Sequence, residues 1–208
     1  MDRRGFVSSG MAASLVGISG ASSVGSLLAR TPGLGMGRTL PNGDVRLSSN
    51  ENPLGISPAA REALIEAIVD ANRYPGGYGG PLLEELARYL GVNRNTLTLG
   101  FGSTEILQVA TQTFQGPNVP LIIAEPTFED ISDYQDTMPF EVIAVPLTDD
   151  LQHDVGRMRE VASKRPSVVY FCNPNNPTGT ITSSADIDSW IADAPETTTF
   201  VMDEAYLE

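Results

Sequence analysis

The chain has 208 residues, 41% of them hydrophobic, which is enough for a packed core and excludes disorder throughout. Its formal charge of −13, from 13 basic and 26 acidic residues, argues against nucleic acid as a partner, because a phosphate backbone needs clustered Lys and Arg. The single cysteine, Cys172, excludes an intramolecular disulfide and a Cys-based metal cluster; the one histidine, His153, reads as a solvated loop residue, which sets metal and Ser-His-Asp chemistry aside.

Residues 1–30 stand apart. They open with paired arginines in MDRRGFV and continue as a weakly apolar run of Gly, Ser and Ala, a pattern that resembles a twin-arginine export signal. Cleavage fits after Ala21 or after Ala29, and the apolar run is too interrupted for a stable membrane span. A disordered N-terminus is the alternative. Export implies a periplasmic location; without it the chain is cytoplasmic. Residues 31–50, including TPGLGMGRTLPNGD, read as linker and N-terminal arm. Ser57-Pro58 then makes an N-cap and first-turn pair for a helix in which Ala60, Leu64, Ile68 and Ala71 recur at helical spacing. PLLEELARYLG predicts a second helix, with Leu83, Leu86, Ala87 and Leu90 inward and Gly91 as its stop. A short strand LTLG, a helix over STEILQVATQTF and an apolar strand VPLIIA follow. EDISDYQDT reads as helical, FEVIAV as a strand, and a helix begins near Asp154. The run SVVYFC, a helix over SADIDSWIAD and the strand TTFVMDE complete the chain.

Short β-branched apolar runs separated by helices imply a parallel sheet covered on both faces, so the fold class is α/β. Ligands of such sheets sit beyond the carboxyl ends of the strands. The unusual loops fall there: GFGSTE after LTLG, EPTF after LIIA, NPNNPTG after SVVYFC and DEAY after FVM. In GFGSTE, Gly100 and Gly102 allow close backbone approach while the amides of Ser103 and Thr104 open a helix. That place suits a phosphate, or is a turn that uses Gly for its geometry alone. Asp203 ends an apolar strand, so its carboxylate needs a partner: a protonated heteroaromatic nitrogen, or the N–H groups of a following helix. Asn176, between Asn175 and Pro177, suits donation to a phenolate-type oxygen, or closes a structural Asx turn. Phe128 lies against a planar ligand or in the core. Together these four describe a flat, phosphorylated pyridine with a ring nitrogen and a ring oxygen, which is pyridoxal 5′-phosphate.

SSNENPLG, NRYPGGYGG, GFGSTE, EPTF, CNPNNPTG and MDEAY, in that order and spacing, resemble the fold-type I aminotransferases, and among them the histidinol-phosphate aminotransferase-like subgroup. The resemblance covers residues 46–208. It implies the large domain of the PLP-transferase type I fold, with residues 51–208 as its N-terminal portion. It also implies transfer of an amino group between an amino acid or amine and a 2-oxo acid. By the same resemblance, the backbone amides of Ser103 and Thr104 hold the cofactor phosphate, Phe128 stacks on the ring, and Asn176 and Tyr206 contact the ring oxygen O3′. Asp203 pairs with the pyridinium nitrogen. Tyr74 reaches the phosphate of a neighbouring subunit, which implies a homodimer, and Asn52 of SSNENP lies near the substrate. Family members often carry an aromatic three residues after the stacking position; Ile131 stands there in this chain.

In the family, a lysine that binds the cofactor covalently and shuttles a proton lies after the DEAY strand. The one lysine here, Lys164 in ASKRPS, is expected on the surface at a helix end, away from the strand ends. The family's substrate-carboxylate arginine and small domain also come later. Two later strands separate the family's LTLG strand from SVVYFC, so the strands present are expected not to form one continuous sheet. The chain then reads as the N-terminal part of a longer reading frame. Competing readings are a decarboxylase or lyase of the same fold, a non-catalytic PLP-binding protein, and a nucleotide-binding α/β domain built on GFGSTE. The last leaves NPNNPTG and DEAY unexplained.

Overall fold

The computed structural model describes residues 49–52, 54–74 and 79–207. The signal-like segment 1–30 and the linker and arm up to residue 48 lie outside these. The chain divides into two units, residues 1–77 and 78–208.

In the first unit, helix α1 (Pro58–Ala67) starts where the sequence places it. The Ser57 hydroxyl accepts a hydrogen bond from the Ala60 amide at 3.1 Å, and Pro58 occupies a position that needs no N–H. The helix tightens into a 3-10 turn over Ile68–Asp70. Leu64, Ile68 and Val69 are exposed.

In the second unit, α2 (Gly79–Leu90) ends at Gly91, whose φ of +68° suits a residue without a Cβ. Of the four positions predicted to face inward, Ala87 is buried, Leu83 and Leu86 are half-buried, and Leu90 is exposed. Strands β1 (Leu121–Glu125), β2 (Val142–Pro146), β3 (Ser167–Cys172) and β4 (Thr198–Asp203) form one parallel sheet in the order β2-β1-β3-β4. Helices α3 (Gly102–Phe114), α4 (Asp130–Asp133), α5 (Val155–Ala162) and α6 (Ser184–Asp193) cover it.

The period of two in a strand sorts the core into two layers. Leu121, Ile123, Val168, Tyr170 and Cys172 pack with Leu107 of α3 and Ile131 of α4. Ile122, Val169 and Phe171 pack on the other face with Met158 of α5 and Ile187 and Trp190 of α6. Trp190 meets Phe171 and Phe200 edge to face, at centroid distances of 5.8 and 5.0 Å.

Two expectations are corrected. Residues 97–100, LTLG, form no strand and pair with none of the four described strands. With LTLG outside it, the sheet of the other four strands is continuous, whereas the expectation counts LTLG among the strands. His153 is also no solvated residue. It is 4% exposed, its ring lies 5.0 Å from that of Phe171, and its Nδ1 is 2.8 Å from the Thr182 hydroxyl. The polar letters around it hid a side chain that turns inward under α6. Burial lowers its pKa from 6.5 to about 4.

Candidate functional site

All four strands run the same way, so their carboxyl ends share one edge of the sheet. Cys172 of β3 pairs in register with Asp203 of β4, and the Asn173 amide donates to the Asp203 carbonyl at 2.9 Å. Beyond Cys172 the chain turns through NPNNPTG, with cis peptides at Asn173–Pro174 and Asn176–Pro177 and a φ of +69° at Gly179. Asn173 pins the base of the loop: its side chain donates to the Thr182 carbonyl at 3.1 Å and accepts from the Thr182 amide at 2.9 Å.

Asn175, buried, ties this loop to the one after β1. Its amide nitrogen donates to the Pro126 carbonyl at 3.1 Å and to the Thr178 hydroxyl at 2.9 Å, and its oxygen accepts from the Thr127 hydroxyl at 2.8 Å. The structural role that sequence reasoning left open for Asn176 thus falls to its neighbour. Asn176 is left facing a cavity of about 270 Å³ with Phe128, Pro126, Pro177, Asp130 and Asp133. Phe128 is half-buried, with part of its ring on the core below.

The start of α3 joins the same region. The Thr104 hydroxyl donates to Asp130 Oδ2 at 2.6 Å. Gly102 has a φ of +78°, a conformation that strains an L-residue, and the side chain of the N-cap residue Phe101 makes no hydrogen bond to the first turn. The free amide ends there make a weakly positive surface, which the Glu105 carboxylate partly answers by accepting from the Phe101 amide at 2.6 Å. Gly100 has a different reason: a Cβ there would come within 2.6 Å of the Ile106 side chain.

Asp203 is 7% exposed. Its Oδ2 accepts from the Tyr170 hydroxyl at 2.8 Å and its Oδ1 from the Ala205 amide at 3.1 Å. The local turn and a further partner are therefore both present, and an ionised carboxylate, with about four acceptor sites, keeps room for another donor. Burial, then the neighbouring Cys172 and Asp203, push the Tyr170 phenol far above its ordinary range, so it remains a donor. Burial likewise raises the Cys172 thiol, which donates to the Pro174 carbonyl at 3.4 Å.

The structure therefore brings Thr104, Phe128, Asn176 and Asp203 to one edge, with Ser103 exposed in the first turn of α3 and Tyr206 half-exposed in the turn after β4. Asn52 and Tyr74 belong to the first unit. There the Asn52 side chain accepts from the Leu54 amide at 2.9 Å, and Tyr74 is 97% exposed. Ile131 is buried in the core beneath the cavity. Lys164 is exposed and lies 3.7 Å from Glu160. It precedes the first residue of β3, and the six-residue strand puts on the order of 17 Å between it and the loop.

Tyr170, Asn175 and Thr127 were missed by sequence reasoning. One signal was available for Tyr170. It shares a strand face with Cys172, and a hydroxyl on a fully buried strand must find a partner.

The family model for aminotransferase class I and II matches residues 42–208. The chain is 40% identical over 164 residues to the histidinol-phosphate aminotransferase of Halalkalibacterium halodurans, covering 79% of this chain and 44% of that protein. Among solved structures, a protein assigned as a histidinol-phosphate aminotransferase from Erwinia carotovora atroseptica superimposes with a TM-score of 0.77 at 36% identity, covering 80% of this chain and 49% of that one. The histidinol-phosphate aminotransferase of Sinorhizobium meliloti in complex with pyridoxal 5′-phosphate gives a TM-score of 0.74 at 24% identity over 91% and 53% of the two chains, a likeness of fold. The chain spans about half the length of the curated relatives it matches. With the strand-end loops, the parallel sheet and this match over most of its length, the chain belongs to the class I and II aminotransferase family.

Proposed function

We propose that this chain is the cofactor-binding part of a pyridoxal phosphate-dependent aminotransferase of the histidinol-phosphate aminotransferase kind, transferring an amino group between an amino acid or amine and a 2-oxo acid. The observation that carries this reading is the shared strand edge. Asn176 and Phe128 line one cavity, and Asp203 stands in register with the strand that carries the Asn176 loop. The donor set suits the group. An uncapped helix start at Gly102 offers amides to a phosphate, and a buried carboxylate with spare acceptor capacity suits a protonated ring nitrogen.

When bound, pyridoxal phosphate supplies an electron-accepting ring that stabilises negative charge at the Cα of an amino acid. The chain's residues hold and polarise that ring. The Ser103 and Thr104 amides bind the phosphate, and Phe128 covers one ring face and excludes water from it. The side-chain amide of Asn176 donates to the ring oxygen, with Tyr206 on the same oxygen. Asp203 keeps a proton on the ring nitrogen. Asn52 binds substrate, and Tyr74 completes the phosphate site of a second subunit in a homodimer. Lys164 is at the wrong end of β3 to act as the nucleophilic amine. The MDRRGFV segment supports export through a twin-arginine route, which a periplasmic fractionation with the arginine pair changed to lysines tests.

The decisive experiment uses the complete protein. It should purify with a visible absorption band of bound pyridoxal phosphate that an amino donor bleaches and a 2-oxo acid restores. Protein that takes up no pyridoxal phosphate would overturn the reading.

A further inference from the structure

Asp203 is held from within the sheet, and the residue that holds it has no role in the reading above. Tyr170 is fully buried at the middle of β3. Its hydroxyl donates to Asp203 Oδ2 at 2.8 Å across the β3–β4 pair. Val201, opposite Tyr170 in register, and Cys172, opposite Asp203, complete the same face. The ring of Tyr170 is therefore fixed by core packing, and its hydroxyl arrives at the carboxylate from below with little freedom to move.

We infer that Tyr170 is a positioning residue that acts through Asp203, fixing the carboxylate's orientation toward the place of the ring nitrogen of pyridoxal phosphate. This rests on the cofactor reading proposed above. The physical argument is one of geometry. A buried carboxylate keeps a single orientation only where donors hold its oxygens. Two donors do so here, the Ala205 amide on Oδ1 and the Tyr170 hydroxyl on Oδ2. Remove the hydroxyl and Oδ2 loses the donor that fixes it, so the carboxylate can turn and would hold the protonated ring nitrogen less well. The shift of the phenol far out of the physiological range supports the assignment, since the hydroxyl keeps the proton it donates to Asp203. The other titratable groups packed on this face are Cys172, whose thiol is turned to the Pro174 carbonyl, and Tyr134.

The test is a double-mutant cycle on the complete protein, Tyr170→Phe and Asp203→Asn, read by pyridoxal phosphate dissociation constant and by the 15N resonance of ring-labelled cofactor. Tyr170→Phe should weaken cofactor binding roughly 10-fold and move the resonance toward the unprotonated pyridine value. In the Asp203→Asn background it should change binding less than about 2-fold. Equal losses in both backgrounds, or an unmoved resonance, would overturn the role of Tyr170 while leaving the cofactor reading intact. If wild-type protein binds no pyridoxal phosphate, both fall. Should Tyr170→Phe fail to fold, 3-fluorotyrosine at 170 keeps the side chain's shape and strengthens the donor. Its 19F resonance must then move when pyridoxal phosphate is added, and an unmoved signal overturns the proposal.

Discussion

The side chain of Asn175 is fully engaged within the protein, whereas that of Asn176 faces the cavity and makes none of those bonds. Two opposite outcomes follow. Asn175→Ala strands the Thr127 hydroxyl and the Pro126 carbonyl in a buried place, so unfolding in urea should show a loss of roughly 3 kcal/mol. Asn176→Ala should stay within about 0.5 kcal/mol of wild type in the same assay yet weaken pyridoxal phosphate binding at least about 10-fold by equilibrium dialysis. A third prediction concerns His153, whose pKa burial lowers to about 4 from 6.5. Between those pH values the unfolded chain binds a proton that the folded chain refuses, so stability is complete above 6.5 and is lost as pH falls toward 4. The loss is roughly 3 kcal/mol, and His153→Phe should lack it when urea midpoints of both proteins are followed across that range. At this scale, residue identity alone showed Asp203 and Asn176 to be unusual. It did not show which asparagine was the brace, because both share the turn-forming chemistry that made the loop legible.

The elements were legible where local chemistry and tertiary pairing agree. SVVYFC and SADIDSWIAD become β3 and α6 with the predicted bounds, because each has an apolar period that the core satisfies and polar punctuation at both ends. LTLG has the composition of a strand but depends on a partner strand, which composition does not reveal. The helix starts carry their own proof. Asp154 accepts from the Arg157 amide at 2.8 Å and caps α5, which is only eight residues long and so gains little from its own propagation. Asp154→Ala should therefore cost about 1 kcal/mol and lower the melting temperature by roughly 2–4 °C, while Asp154→Asn, which still caps, should keep most of it. Equal losses in the two variants by calorimetry would assign the effect to charge rather than to the cap.

For the molecule as a whole, the parallel sheet made the site legible before any contact was known, because it gathers every strand's last residue and following loop at one edge. The electrostatics of that edge were less legible, since the sign of the total charge does not say where the charge lies. The cavity wall carries Glu129, Asp130 and Asp133, and among the described residues no basic side chain lines it. On the proposed reading, a dianionic phosphate approaches through a repulsive field before it meets the amides at the start of α3. Repulsion of this kind reaches ~30 Å at 0.01 M salt but only ~8 Å at 0.15 M. The association rate of pyridoxal phosphate with the apoprotein should accordingly rise with salt, the reverse of the trend at a basic anion site. Asp133→Asn isolates the local part of the field. In stopped-flow measurements it should speed association by about 2-fold at low salt and by little at 0.15 M. An equal gain at both salts would mean that Asp133 acts by contact with the cofactor, and the field account of its role would have to be given up.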